Sequence, residues 1–448
     1  MFKKILVANR GEIAVRVITA CRKLGIAAVT VHSQADTGSP HVLEADESYL
    51  IGPPPVALSY LNMEEIISAS VRCGAEAVHP GYGLLSENPI FARACQKAGL
   101  VFIGPPAAAI SSMGIKTVAR RIMQEAGIPV VPGSGPLETP EEAEAAAVGI
   151  GYPVMIKAAA GGGGIGMQLV ETPGVLEKSF NTCRGRAQAA FGNPSLYLEK
   201  YIKGSRHIEV QIFADKQRNT IHLGERECSI QRRHQKIVEG APSPLVHNSM
   251  REKIGADAVR AARAIAYEGA GTVEFLADGD GRYYFLEMNT RLQVEHPVTE
   301  MVTGTDLVVE QIRVASGHPL SLRQEDICIK GHALECRVYA EDPVTFRPST
   351  GEITFIHFPR GDNIRVDSGV RVGYRVTPYY DSLLAKIIVR AGTRQGSLDL
   401  MLEVLHRAVI GGVKTNIPLL QEIVAHPEFA AGRIFTGFID RHISCQRK

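Results

Sequence analysis

Between Lys4 and His32 the chain runs apolar, then helical, then apolar again, and this punctuation restricts the fold more than any other feature. Lys4 to Ala8 is a compact apolar stretch, Glu12 to Leu24 sets Ile13, Val17, Ile18, Cys21 and Leu24 at helical spacing, and Ala27 to His32 is apolar once more. Two parallel strands joined by a right-handed helical crossover are the unit this predicts. The alternation continues with a helix at Met63 to Cys73, a strand at Ala77 to His79, a helix capped by Asn88 with Pro89 at its first position, and a strand at Leu100 to Ile103. The expected class is therefore α/β, opening on a mostly parallel sheet. The first turn, AlaAsnArgGlyGlu, lacks the GxGxxG of a dinucleotide site. HisProGlyTyrGly from His79 follows the carboxyl end of a strand, where open α/β sheets place ligands, although loop geometry alone also accounts for its glycines.

From Met113 the texture changes. A helix is expected from about Lys116 to Ala126, then a rigid IleProValValProGly linker, then an alanine-rich helix opened by the capping box of Thr139, Pro140 and Glu142. An apolar strand ending in Lys157 leads into AlaAlaAlaGlyGlyGlyGlyIleGly and a second strand, Met167 to Val170. Gly161, Gly163 and Gly166 match the Rossmann spacing but precede a strand instead of a helix, and no GK[ST] follows. A strand, a glycine loop and a strand fit a hairpin lid that closes over phosphates, with Lys157 as point charge; a plain flexible turn is the simpler alternative.

The densest chemistry lies further on. Thr272 to Ala277, the turn Gly279 to Gly281 and Arg282 to Met288 read as a hairpin, which puts Glu274 and Glu287 on paired strands and Asn289 on the same face as Glu287. Two carboxylates and an amide oxygen suit Mg2+ holding nucleotide phosphates. Arg291, Gln293, Val294 and Glu295 follow, a set suited to a small oxyanion beside a general base. The bland alternative is an exposed charged turn. Upstream, the strand from Leu196 is suited to offering main-chain groups to an adenine edge, and His207, Glu209 and Gln211 share a strand face. Glu225 to Lys236 taken alone reads as a solvated charged loop, and His234 as structural; the acidic hairpin favours a polyphosphate or bicarbonate-sized anion instead. Arg337 stands among apolar residues and is expected to be paired or functional. Helices are expected at Ser397 to Val409 and near Ile417 to Ala425.

Composition bounds the partners. With 448 residues, 45% of them hydrophobic, the chain has material for about three domains. A formal charge of +2 with Lys and Arg spread along the chain gives no electrostatic case for nucleic acid or membranes, and neither is expected as a partner. Eight cysteines without CxxC spacing argue against zinc or a disulfide framework and for a reducing cytosol. The apolar run after Met1 is too short for a signal-peptide core, and no run reaches membrane-spanning length.

In order, AsnArgGlyGluIleAla, HisProGlyTyrGlyLeuLeuSerGluAsn, the glycine lid, GlnArgArgHisGlnLys and GluMetAsnThrArgLeuGlnValGluHisProValThrGlu resemble the biotin carboxylases of the ATP-grasp superfamily, over essentially the whole chain. The resemblance implies a three-part ATP-grasp fold: an N-terminal open parallel-sheet domain at 1–112, an ATP-grasp core at 113–330 with a mobile lid at about 131–203, and a C-terminal biotin carboxylase domain at 331–448. It implies formation of carboxyphosphate and ADP from ATP and bicarbonate, then carboxylation of the ureido nitrogen of biotin borne on a carrier protein. Lys116, Lys157, Gly163, Gly164, His207, Gln231 and His234 would contact nucleotide, with Glu199, Lys200 and Ile202 at the adenine. Glu274, Glu287 and Asn289 would bind magnesium or manganese, as two ions. Arg291, Gln293 and Val294 would hold bicarbonate, Glu295 take its proton, Lys236 support the anion, and Arg337 stabilise the biotin enolate. No biotin-attachment lysine motif or carboxyltransferase region follows the last helix, so a separate cytoplasmic subunit is expected, a homodimer working with a biotin carboxyl carrier protein and carboxyltransferase subunits. Acetyl-CoA, propionyl-CoA, pyruvate and 2-oxoglutarate all remain open as final acceptors. Ile115, Ile165, Gly240 and Leu84 depart from the commonest family pattern. Two alternatives are another ATP-grasp ligase joining a carboxylate to an amine, which need not carry Arg291, Gln293, Glu295 and Arg337 together, and a silent nucleotide-binding subunit.

Overall fold

Lys4–Val7 becomes the central strand of a five-stranded parallel sheet because Ile5, Leu6 and Val7 are apolar toward both faces. Ile5 and Val7 pack with Ile13 and Val17 of the helix Gly11–Lys23, while Leu6 between them packs on the other face with Ile66 and Phe91. The strand order is Glu47–Gly52, Ala27–Ser33, Lys4–Val7, Ala77–His79, Val101–Phe102. The computed structural model describes residues 1–159 and 166–443.

The two N-terminal motifs meet at the carboxyl ends of these strands. Asn9 Nδ2 donates to the carbonyls of Pro80 (2.6 Å) and Tyr82 (2.8 Å), stitching the two loops together. Gly81 lies between them at φ +63°, and a Cβ there would meet Asn9 Nδ2 at 2.9 Å, so that glycine has both a conformational and a steric reason. Asn88 caps the next helix as expected, its Oδ1 accepting from the amides of Ile90 and Phe91.

A second, eight-stranded antiparallel sheet runs in the order Tyr283–Asn289, Gly269–Ala277, Arg206–Ala214, Thr220–Arg232, Gln235–Ala241, His332–Tyr339, Leu383–Ala391, Ile364–Ser368. Gln235–Ala241 pairs directly with His332–Tyr339, so this sheet crosses position 331 without a break. The third sheet, Gln168–Val170, Val154–Ala158 and Leu196–Lys200, carries the helices Pro140–Ile150 and Leu176–Phe191 around a core of its own.

The capping box forms: Thr139 Oγ1 accepts from the Glu142 amide at 3.2 Å, and Glu142 Oε2 accepts from the Thr139 amide at 3.4 Å. Thr139→Ala is expected to cost about 1 kcal/mol of local stability, visible as faster amide exchange in the first turns of Pro140–Ile150 while exchange in the eight-stranded sheet stays unchanged.

Glu225 to Lys236, which taken alone reads as a solvated charged loop, lies instead in a strand hairpin, with Glu225 to Ile230 buried and Arg226 fully enclosed. Only Arg233 and His234 form the turn, both at positive φ (49° and 66°), which matches a two-residue type I′ hairpin built without glycine. No helix among the described residues is long and apolar enough to cross a membrane.

Candidate active site

The Gly269–Ala277 and Tyr283–Asn289 strands pair antiparallel with Glu274 directly opposite Glu287, and period two carries Asn289 to the same face. All three side chains line one cavity of about 430 Å³. Asn289 Nδ2 donates to Glu274 Oε1 at 2.8 Å, and Glu287 is paired with Lys116. Two carboxylates and an amide oxygen on adjoining positions are the donor chemistry a hard cation requires, so these residues fit magnesium.

The opposite wall comes from the Arg206–Ala214 strand and the Thr220–Arg232/Gln235–Ala241 hairpin. Gln231 Nε2 donates to His207 Nδ1 at 3.0 Å, and His207 Nε2 lies 3.0 Å from Glu274 Oε2. Burial lowers the His207 pKa, but the Glu274 charge outweighs it and the imidazole is held above its ordinary value. His234, exposed in the hairpin turn, lines the same cavity.

Lys236 joins the two walls. Its ammonium donates to Glu209 Oε2 (2.5 Å), Glu274 Oε1 (2.8 Å) and Glu295 Oε1 (2.7 Å). Burial works against its charge, but the three carboxylates hold it well above the ordinary lysine value. Arg337 Nη2 donates to Glu295 Oε2 at 3.0 Å, so Glu295, fully buried, lies between two cations. Burial raises its carboxyl, yet Lys236, Arg337 and Arg226 together bring it well below the usual carboxylate range. Glu274 is lowered in the same sense: burial opposes, and Lys236 and His207 prevail.

Arg291 is fixed from several sides. Its Nε donates to Glu87 Oε2 at 2.7 Å, Nη1 to Gln293 Oε1 at 3.1 Å and Nη2 to Asn289 Oδ1 at 3.2 Å. Gln293 Nε2 donates to Glu274 Oε1 at 3.2 Å, and the Val294 carbonyl accepts from Lys386 Nζ at 2.8 Å. The oxyanion set thus adjoins the cation set through shared hydrogen bonds.

Toward the third sheet, Lys157 is paired with Glu199, which Arg120 Nη1 also contacts at 2.5 Å. Lys157 lines the cavity; Glu199 is buried behind it and serves as a counter-charge. Lys200 turns its ammonium to the carbonyls of Gly151 (2.8 Å) and Tyr152 (2.9 Å), and Ile202 follows in the half-buried link to the Arg206–Ala214 strand. Gly161, Gly163, Gly164 and Ile165 lie outside the described residues. Of the departures from the family pattern, Ile115 is exposed and supplies no side-chain cap to Lys116–Glu125, Leu84 sits at φ 47°, and Gly240 pairs with Leu334 where a Cβ would come within 3.4 Å of the Ala333 carbonyl oxygen.

Three residues escaped the sequence reading as parts of the site. Arg226 is paired with Glu209 and donates to Gln211 Oε1 (2.8 Å), Thr299 Oγ1 (3.0 Å) and Thr272 Oγ1 (3.1 Å), which positions Glu209 beneath Lys236. Glu87, four residues past the HisProGlyTyrGly loop, aims Arg291, and Glu239 contacts Arg337. The signal that could have found Arg226 was the alternation Glu225, Glu227, Ser229 around it, a period-two pattern within a charged run.

Family models cover most of the chain: the biotin carboxylase N-terminal domain matches residues 1–110, the carbamoyl-phosphate synthase L chain ATP-binding domain 116–323, and the biotin carboxylase C-terminal domain 335–441. A biotin carboxylase of Halalkalibacterium halodurans is 54% identical over 444 residues, spanning 99% of this chain and 98% of that one. A pyruvate carboxylase subunit of Methanothermobacter thermautotrophicus is 50% identical, over 99% of this chain and 90% of its own length. The solved biotin carboxylase domain dimer of the Hydrogenobacter thermophilus 2-oxoglutarate carboxylase, in complex with MgADP, ADP and bicarbonate, aligns with a TM-score of 0.96 at 50% identity, covering 99% of this chain and 98% of that one.

Proposed function

The chain belongs to the biotin carboxylase family, and on that premise we propose that its central cavity binds ATP, bicarbonate and biotin and carboxylates biotin on a carrier protein through carboxyphosphate. The observation that carries this reading is Glu295 held between Lys236 and Arg337, beside the paired carboxylates Glu274 and Glu287. A buried base next to fixed cations and an oxygen-rich metal set is what deprotonation of bicarbonate and phosphoryl transfer both require.

Lys116, Lys157, His207, Gln231 and His234 bind the nucleotide, with Glu199, Lys200 and Ile202 at its adenine; Gly163 and Gly164, which lie outside the described residues, are assigned to its phosphates. Glu274, Glu287 and Asn289 would hold the metal, magnesium or manganese, which would supply positive charge to offset that of the phosphates. Arg291, Gln293 and Val294 orient bicarbonate, and Glu295 takes its proton so that an oxygen can attack phosphorus in line. Lys236 supports the bicarbonate anion, and Arg337 stabilises the enolate of biotin.

We assign these roles to parts at 1–112, 113–330 with a lid at about 131–203, and 331–448. We further propose a cytoplasmic homodimer that works with a biotin carboxyl carrier protein and carboxyltransferase subunits, supported by the dimeric state of the 2-oxoglutarate carboxylase domain and by the need for ATP. Relatives named for pyruvate and 2-oxoglutarate carboxylation are each 50% identical to this chain, so acceptor choice belongs to the carboxyltransferase and is not written here.

The decisive assay is ADP release from MgATP by the purified chain, with and without bicarbonate and free biotin. Release that requires bicarbonate and rises with biotin is expected. ATP binding without stimulation by either ligand would overturn the proposal.

A further inference from the structure

Glu239 is 1% exposed on the Gln235–Ala241 strand, and its Oε1 lies 2.5 Å from Arg337 Nη2, the nitrogen that also donates to Glu295 Oε2. One guanidinium nitrogen therefore serves two buried carboxyl groups. Neither Glu239 oxygen completes a hydrogen bond of proper geometry. Directly across the ladder stands Glu335, fully buried, with both oxygens likewise without a hydrogen-bond partner. Two buried carboxyl groups therefore face each other across one rung of the ladder, and Arg337 is the cation that Glu239 reaches.

We propose that Glu239 is a positioning residue for Arg337, retaining the guanidinium at its place when Glu295 takes up the substrate proton and loses its own charge. The inference rests on the roles given above to Glu295 and Arg337. The balance of the step is simple: the bicarbonate O–H proton passes to the Glu295 carboxylate, leaving carbonate to attack and a neutral acid behind. The neutral acid no longer attracts Arg337 as an ion. Without a second anchor, a guanidinium on a long side chain is free to shift just before it must meet the biotin enolate.

The electrostatics run in the same direction. Burial is the main influence raising Glu239, to about 7; Arg337 and Lys236 lower it, and the negative charge of Glu295 raises it. Removing the Glu295 charge removes that repulsion and favours charge on Glu239, with no proton exchange between the two required. The groups that face Glu239 are Lys236 on its own strand, Cys228 on the strand to one side, Glu335, Cys336, Arg337 and Tyr339 on the strand to the other, and Glu295.

The test compares the two half-reactions in the full chain bearing Glu239→Gln, Glu239→Asp or Arg337→Lys, with free biotin as the probe. Bicarbonate-dependent ADP release without biotin reads the first half, and carboxybiotin formation reads the second. Glu239→Gln is expected to lower carboxybiotin formation on the order of tenfold or more, with a much smaller loss in the first half and KM for ATP within about twofold. Glu239→Asp is expected to recover part of the loss, and it reads the same ratio if the glutamine variant does not accumulate folded. Equal losses in both halves and in ATP affinity would assign Glu239 to fold maintenance and overturn the proposal, as would no loss in either. If Arg337→Lys leaves carboxybiotin formation intact, the role given to Arg337 fails and this inference falls with it; if Arg337→Lys impairs it and Glu239→Gln does not, only this inference falls.

Discussion

Glu295→Ala and Glu295→Gln are both expected to reduce bicarbonate-dependent ADP release by about 10²–10⁴-fold while leaving ATP binding nearly unchanged. Glu295 is fully buried and contacts Lys236 and Arg337, whereas the proposed nucleotide lysines are tied elsewhere, Lys116 to Glu287 and Lys157 to Glu199. Loss of the carboxylate therefore removes a base and not a phosphate contact. The glutamine variant keeps the volume and an acceptor for Lys236, so its failure would separate proton transfer from packing. Lys236 retains Glu209 and Glu274 in either variant and stays charged. In the ligand-free chain Lys236, Arg337 and Arg226 outweigh burial and keep Glu295 well below the usual carboxylate range, so it stands ionised at neutral pH. Because a lowered folded pKa leaves the group ionised across neutral pH, the variants' loss should be flat through that range instead of growing toward acid. Turnover rates of both variants at several pH values, with nucleotide affinity by equilibrium titration, check this; retained turnover would remove Glu295 from its role.

Arg337→Ala is expected to depress biotin carboxylation by about 10²-fold or more, and the bicarbonate-dependent ATPase distinctly less. The difference follows from where charge appears. The enolate of biotin forms after phosphoryl transfer, and a preorganised guanidinium stabilises it only then. The same substitution leaves the buried Glu239 and Glu295 without their shared cation, and removing one partner of a buried pair costs about 3–5 kcal/mol. Thermal unfolding should therefore accompany the kinetics, with Arg337→Lys as the variant that keeps a charge but loses the planar fork. Equal losses in the two half-reactions would argue against an enolate-specific role.

Local pattern made a good part of this molecule legible. The strand and helix limits between Lys4 and Ser33, the caps at Asn88 and Thr139, and the facing of Glu274 to Glu287 all follow from periodicity and turn chemistry, which act over a few residues. The helices Leu176–Phe191 and Asn248–Ala264 had no such announcement. The first runs from Leu176 through a charged turn, and the second hides its buried stripe largely in alanines, whose contribution to an amphipathic signal is small.

What sequence alone decided was the kind of chemistry: an acidic hairpin, an Arg-Gln-Glu series after it, and lysines at the ends of strands, in an order that resembles one family. What the tertiary structure decided was the charge state and aim of each group. Lys236 reaches Glu295 across 59 residues, Arg337 reaches it across 42, and Arg226 donates to Thr299 across 73. A run such as Glu225 to Arg232 looks solvated when its partners are unknown, and it becomes a buried strand only once neighbouring strands bring Gln211, Thr272 and Glu209 beside it. Hydrophobic period is a property of adjacent residues, but the pairing that makes buried charge tolerable is a property of the sheet, and it exists only after distant strands have met.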